Sequence, residues 1–421
     1  GVANTGPFIH NGGSITGNKQ TTTNGNGGGV FNSGTYNLKG GTVSNNTSAR
    51  HGGGIRNDKT FNMTSGTISG NVATNNGGGV FSGANTTTNI TGGIITNNTS
   101  LAGGGIAMDT TTSQQTIKNA TISNNKATSY GGGIWSGADL LLSGNTVSSN
   151  SSGNGGGVYS SGPLTVQSGN INNNTATANN GGAIYLDAGT GNITGGTITG
   201  NKAVNDCGGG IFVNISSKLN IKGGTISSNS AKWGGGVFNQ YGGNTNMTGG
   251  VITQNYASDR GGGLFNKSSG TTKGIISLTG GTISANTSTN TGSGVVVQST
   301  TNVGGAVNIK SDNNVALFDG NYLNITSALT GSTPILVVPN SYSSGSKIAE
   351  VAYGTKLGSL MFSRFDLVDA NGFIIRPGDY VNAASGVKAT DIVVSSKYTV
   401  HYDKNTTETV TNIPAAGTKY W

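Results

Sequence analysis

An aliphatic residue preceded by a glycine triplet recurs along the chain at Val30, Ile55, Val80, Ile106, Ile134, Val158, Ile211, Val237 and Leu264, with GGA before Ile184 and GSG before Val295. Successive members lie 24 to 31 residues apart, mostly 25 to 27. A second aliphatic, usually inside GGTIS, alternates with the first: Ile15, Val43, Ile68, Ile95, Ile122, Val147, Ile171, Ile198, Ile226, Ile252 and Ile283. From Val43 onward another apolar residue stands five positions earlier, as at Leu38, Met63, Ile90 and Leu142. These stretches are too short and too glycine-flanked for helices, so each period predicts three short strands with glycine at the corners. Such a unit cannot bury its own apolar side chains, whereas stacking successive units as coils does. The predicted fold is all-β: a parallel, right-handed β-helix solenoid of about 11 coils with about 26 residues each, ending in an irregular β-rich C-terminal cap.

The residue three after the second aliphatic is Asn in all 11 units: Asn18, Asn46, Asn71, Asn98, Asn125, Asn150, Asn174, Asn201, Asn229, Asn255 and Asn286. Asn tolerates left-handed backbone, and its amide both donates and accepts, so a column of stacked Asn can bond to itself and to the turns. An asparagine ladder is expected, about 48 Å long for ten steps at the strand spacing.

The period fails near Val307, where longer apolar runs appear, such as Pro334 to Val338. Residues 1–304 are read as the β-helix repeat domain, 305–396 as terminal coils and cap, and 397–421 as a linker or the truncated start of a following β-rich stalk repeat.

Composition narrows the function. The chain has 421 residues, 76 of them Gly, only 9% charged and a single Cys, Cys207. No disulfide framework or Cys-based metal set is available, and neither a cofactor nor a metal is expected. No apolar run is long enough for a membrane-spanning helix, and the chain reads as an excised piece of a larger protein. The +8 net charge belongs to residues 1–304, with 14 Lys/Arg against 6 Asp, but the cations are scattered singly. Nucleic acid is therefore not an expected partner.

GGAIY at Gly181–Tyr185, GGGIW at Gly131–Trp135 and steps such as Ile198 to Asn201 resemble the GGA[ILV] and FxxN repeats of chlamydial polymorphic membrane proteins. With Ile or Val in place of Phe, they resemble still more the related β-helix repeats on Gram-positive surface proteins. The segment from Tyr398 to Asn405 resembles the opening strand of Listeria–Bacteroides-type stalk repeats. The resemblance covers residues 1–304. It implies a monomeric, extracellular module of a bacterial cell-surface protein, anchored through a missing C-terminal part, that binds a host or environmental glycan or surface protein or acts as a spacer.

Some parallel β-helices are pectate lyases or polygalacturonases, so a polysaccharide-active enzyme is the alternative. Such chemistry needs clustered carboxylates. Asp58, Asp109 and Asp187 share a register position but lie two and three coils apart, and no catalytic residue is assigned. Asp206, Lys232 and Asp259 share another register position in consecutive units, either a ligand site or an alternating charge ladder on a solvated turn. Thr-x-Thr/Ser triplets around the second aliphatic raise ice binding as a third possibility, but Ile94, Asn170 and Val251 interrupt the array.

The position after the first aliphatic is aromatic in six consecutive units: Trp135, Tyr159, Tyr185, Phe212, Phe238 and Phe265. If the aliphatic points inward, alternation sends this column outward. It is the candidate ligand-binding strip, unless neighbouring turns cover the rings and make it a structural stack.

Overall fold

A computed structural model describes residues 1–22, 27–344, 346–351, 362–368, 373–377 and 391–396; the segment 397–421 lies outside the described residues. The chain winds as a parallel β-helix, each coil lying in register on the next. Val2 pairs with Val30, Val30 with Ile55, and Val80 with both Ile55 and Ile106. The glycine-triplet strands stack into a sheet of 15 strands. The two later apolar positions of each coil sit on two strands, such as Thr35–Leu38 and Thr42–Ser44, that share a second sheet. In two coils these merge into single ten-residue strands, Asn244–Thr253 and Ile275–Ser284.

A fourth strand per coil follows the ladder Asn, as at Thr47–Ser48 and Val72–Ala73, and builds a third sheet of 11 strands. The sequence pattern misses it because from Ser48 onward its one inward position carries small residues, Gln20 holding it in the first coil. Ser48, Ala73, Ser100, Ala127, Ser152, Ala176 and Ala203 are all buried there. Glycine backbone leaves room for nothing larger: a Cβ on Gly53 would lie 2.5 Å from the Val72 carbonyl.

The interior between the sheets is one continuous column of aliphatics, from Val30, Leu38 and Val43 through Ile134, Leu142 and Val147 to Leu264, Leu278 and Ile283. Removing such a side chain from water stabilises the fold by about 1.5–3 kcal/mol each. The triplet turn shows why glycine is needed. Gly131 has φ +61°, and a Cβ on Gly132 would lie 2.4 Å from the Gly156 carbonyl oxygen of the next coil. Gly133 would bring a Cβ to 2.7 Å from the Gly157 carbonyl oxygen and 3.0 Å from the Asn150 side-chain nitrogen, and at this third place one coil does carry a side chain, buried Ala183.

Strand pairing runs on past residue 304 although the sequence period does not. Val295 pairs with Val315, Val315 with Val337, and Val337 with Leu367, all parallel. The sense then reverses: Asp391–Ser396 pairs antiparallel with both Lys347–Val351 and Phe373–Pro377. An antiparallel end strand occupies backbone groups that another parallel coil would need, which limits the exposed edge.

Candidate functional site

From Asn46 to Asn255 each ladder Asn makes the same set of bonds, while half-buried Asn18 donates to Asn46 and to the Thr16 carbonyl of its own coil. Asn150 donates from Nδ2 to Asn174 Oδ1 at 2.9 Å and to the Ile122 carbonyl at 2.9 Å, and its backbone N–H donates to the same Asn174 oxygen at 3.0 Å. The pattern holds from Asn46, through Asn98 and Asn201, to Asn255, and all of these residues are buried. It continues one step beyond the repeat, where Asn286 donates to Asn313 Oδ1 at 2.8 Å. The backbone expectation needs correcting. Positive φ falls on the residue before each ladder Asn, as at Asn45, Asn97, Ser149 and Ala285, or on Gly17, Gly70 and Gly200. That left-handed residue turns the corner and aims the following amide inward.

Two further Asn columns escaped the sequence reading. Inside the first sheet, Asn4 donates to Asn32 and Asn32 to Asn57, and near the other end Asn239 donates to Asn266. On the outer face of the second sheet, Asn62 donates to Asn37 and Asn220 to Asn192. Other residue types interrupt both columns, so neither shows as a period.

The aromatic column does point away from the aliphatic core, but most of it is not exposed. Phe212, Phe238 and Phe265 are 2%, 1% and 4% exposed and Tyr159 is 8% exposed. Tyr159, Tyr185, Phe212, Phe238 and Phe265 stack on one another with centroids 4.8–5.5 Å apart. The six-ring binding strip is therefore corrected to a structural stack over most of its length. Alternation fixes which face of the strand a ring takes; here the chain entering the glycine turn folds back over that face. Cys207, Val296, Trp233 and Phe318 close a second apolar cluster around the phenylalanines.

The remaining two rings differ. Tyr185 is half-buried, and Trp135 is half-buried outside the stack. Tyr130, which the sequence pattern missed, takes the place beside Tyr159 at 4.8 Å and is 43% exposed. It belongs to the five-residue strand Lys126–Tyr130, whose pairing carries a register shift between Ser100 and Ala102.

The carboxylates are dispersed and individually engaged. Asp58 pairs with Arg56 at 2.5 Å. Asp187 accepts from Asn214 Nδ2 at 3.1 Å and Ser161 Oγ at 3.4 Å. Burial raises the Asp109 pKa, opposed by the Arg56 charge. Burial, and then the Asp187 carboxylate, raise that of the Tyr159 hydroxyl. The same two causes, in the same order, push Tyr185 up to about 12. Among the described residues no group of three or more His, Cys, Asp or Glu is placed to hold a metal ion.

Asp206, Lys232 and Asp259 stand on consecutive coils but do not form an alternating ion-pair ladder. The Cys207 thiol donates to Asp206 at 2.9 Å, Trp233 Nε1 donates to Asp259 at 2.8 Å, and the Lys232 ammonium lies 4.2 Å from the Trp233 ring centre. Asn290 donates to Asp259 at 2.7 Å and, with Trp233, holds its pKa below the ordinary carboxylate value. The cluster serves as a lid on the phenylalanine stack. Of the histidines, His10 bonds to the Tyr36 hydroxyl at 2.9 Å and His51 stacks on Phe81 at 4.5 Å.

The family model for the right-handed β-helix region matches residues 99–204. The chain is a right-handed parallel β-helix. The matched coils hold the centre of the ladder and Tyr130, Trp135, Tyr159 and Tyr185. No curated protein and no solved structure gives a match.

Proposed function

We propose that this β-helix is a non-catalytic adhesive or spacer module of a bacterial cell-surface protein. The observation that carries the reading is where the conspicuous side chains go. The Asn ladder, the phenylalanine stack and the Asp206–Asp259 cluster all turn their polar or aromatic atoms towards one another, which gives a stiff rod. The carboxylates that a glycan-cleaving enzyme would bring together instead stand on separate coils with separate partners, Asp58 with Arg56 and Asp187 with Ser161 and Asn214. The repeats resemble those of bacterial surface proteins, which supports a place outside the cell, with a glycan or surface protein as partner.

Two assays run in parallel test this: retention of the purified chain on glycan arrays and host-cell surfaces, and release of reducing ends or unsaturated products from pectins and neutral polysaccharides, with and without calcium. Retention without turnover is the expected result. Turnover that chelation abolishes would replace the adhesive reading with the polysaccharide-cleaving one.

A further inference from the structure

The phenylalanine half of the aromatic column is sealed, but its N-terminal half is not. Tyr130 is 43% exposed, Trp135 and Tyr185 are half-buried, and the tyrosine rings lie against buried Tyr159 at 4.8 Å on either side. The Trp135 indole has no hydrogen-bond or ring partner among the described residues. This contrasts with Trp233, whose N–H is held by Asp259 and whose face is covered by Lys232. Beside the rings, just after the strand Ile184–Leu186, stands half-buried Asp187; its carboxylate faces the Tyr159 hydroxyl and accepts from Ser161 and Asn214, and its two oxygens have capacity for one further donor.

Charge selects the class of ligand. The chain as a whole is basic, yet residues 127–201 contain no Lys or Arg, and their only charged residues are Asp139 and Asp187. Between Lys126 and Lys202 this stretch therefore offers uronates and sialylated glycans no cation of its own to pair with. What remains is a ligand with flat apolar C–H faces and neutral hydroxyls. Trp135 and Tyr185 sit two coils apart, about 10 Å along the rod at the strand spacing, a separation that suits alternate sugars of an extended chain.

Resting on the adhesive reading above, we propose that Tyr130, Trp135, Tyr185 and Asp187 form a binding site for a neutral, extended pyranose chain lying along the rod axis. The rings stack on sugar faces, and Asp187 accepts from a sugar hydroxyl.

Titrating the 421-residue chain with cellohexaose, mannohexaose, xylohexaose and hexagalacturonate, read by calorimetry and tryptophan fluorescence, tests the site. At least one neutral hexaose is expected to bind and to perturb Trp135 emission, with hexagalacturonate at least tenfold weaker. Trp135→Ala and Asp187→Asn should each weaken binding tenfold or more without shifting the melting temperature. Trp233→Phe should keep both binding and the fluorescence response. Failure of all three neutral hexaoses, equal binding of hexagalacturonate, or undiminished binding by Trp135→Ala would each overturn the site. Two outcomes separate the site from the broader function. Retention on cells that survives Trp135→Ala leaves the adhesive reading standing without the sugar site, whereas turnover of a hexaose removes the non-catalytic reading whatever Trp135 does.

Discussion

The side-chain amide of Asn150 reaches Asn174 at 2.9 Å across one coil step, and the Asn150 oxygen receives both the Nδ2 and the backbone N–H of Asn125 at 3.0 and 2.9 Å. One residue thus satisfies buried groups on the coils before and after its own.

Asn150→Ala removes the acceptor shared by the Asn125 side-chain and backbone N–H groups and the donor to the Ile122 carbonyl. Each buried polar group left unpaired costs about 1–3 kcal/mol, so a clear loss is expected in urea or thermal unfolding. Ser129→Ala, at a half-buried strand residue on the same face of the repeat, should shift stability by less than about 0.5 kcal/mol. Equal melting temperatures for the two variants would count against the ladder.

Phe238 is 1% exposed and stacks between Phe212 at 5.5 Å and Phe265 at 5.2 Å. Phe238→Ala should cost about 3–5 kcal/mol, as for a large aromatic removed from a core. Trp135→Ala, outside the stack, should cost much less. Chemical denaturation of the two variants checks the boundary between the sealed and open parts of the column.

Neighbouring glycines of one turn should respond differently. A Cβ at Gly156 would lie 2.5 Å from the Gly182 carbonyl oxygen and 2.5 Å from the Thr175 carbonyl carbon, both backbone, whereas at Gly157 the nearest atom is 2.8 Å away. Ala183 occupies the equivalent third position of the next coil. Gly156→Ala is expected to destabilise by about 1–3 kcal/mol or more through overpacking and Gly157→Ala by clearly less. Melting temperatures in the reverse order would contradict the packing described for the turn.

His51 carries a pH signature. Burial, and then the nearby Arg56 and Arg50, lower its pKa to about 4. Between the ordinary histidine value near 6.5 and about 4, the unfolded chain binds this proton and the folded chain does not. Stability contributed here is complete at neutral pH and falls as pH drops through that window. His51→Gln should flatten the pH dependence of the melting temperature between about pH 4 and 6.5; an unchanged slope would assign the acid sensitivity to other groups.

The sequence made the solenoid legible because its coils repeat the same residue at the same register. Asn at every ladder position and an aliphatic after every glycine triplet leave few other folds. The third sheet was hidden because its inward positions, Ser48 to Ala203, are Ser or Ala and its outward ones vary from Thr47 to Val72 to Lys126. No apolar period marks such a strand. The outward sense of the aromatic column was also legible, but its burial was not. Burial depends on Cys207 and Trp233, which pair with each other at the position just before the glycine triplet, and on Phe318 beyond the repeat; that position holds Asn76, Ala102 and Asn154 in other coils, so its residue types show no apolar period. Tyr130 escaped for the same reason: it holds this position in its own coil, where the neighbouring residues are Ala102 and Asn154.

The ladder also has a sense, since each amide donates one hydrogen to the Asn oxygen of the next coil and accepts on its own oxygen from the Asn of the coil before. Aligned bonds of this kind polarise one another in the same direction, so the column behaves as a wire of like-oriented dipoles with unlike ends. At the first coil Asn18 opens the column, donating from Nδ2 to Asn46 Oδ1 at 2.8 Å. At the last, the donor end, Asn313 Nδ2, is taken by the Asn286 and Asp312 carbonyls at 2.9 and 2.7 Å. The two ends of the ladder are therefore chemically distinct, one opening on an amide oxygen and the other closing on an amide nitrogen, and a coil inserted anywhere between them has one polarity in which to fit.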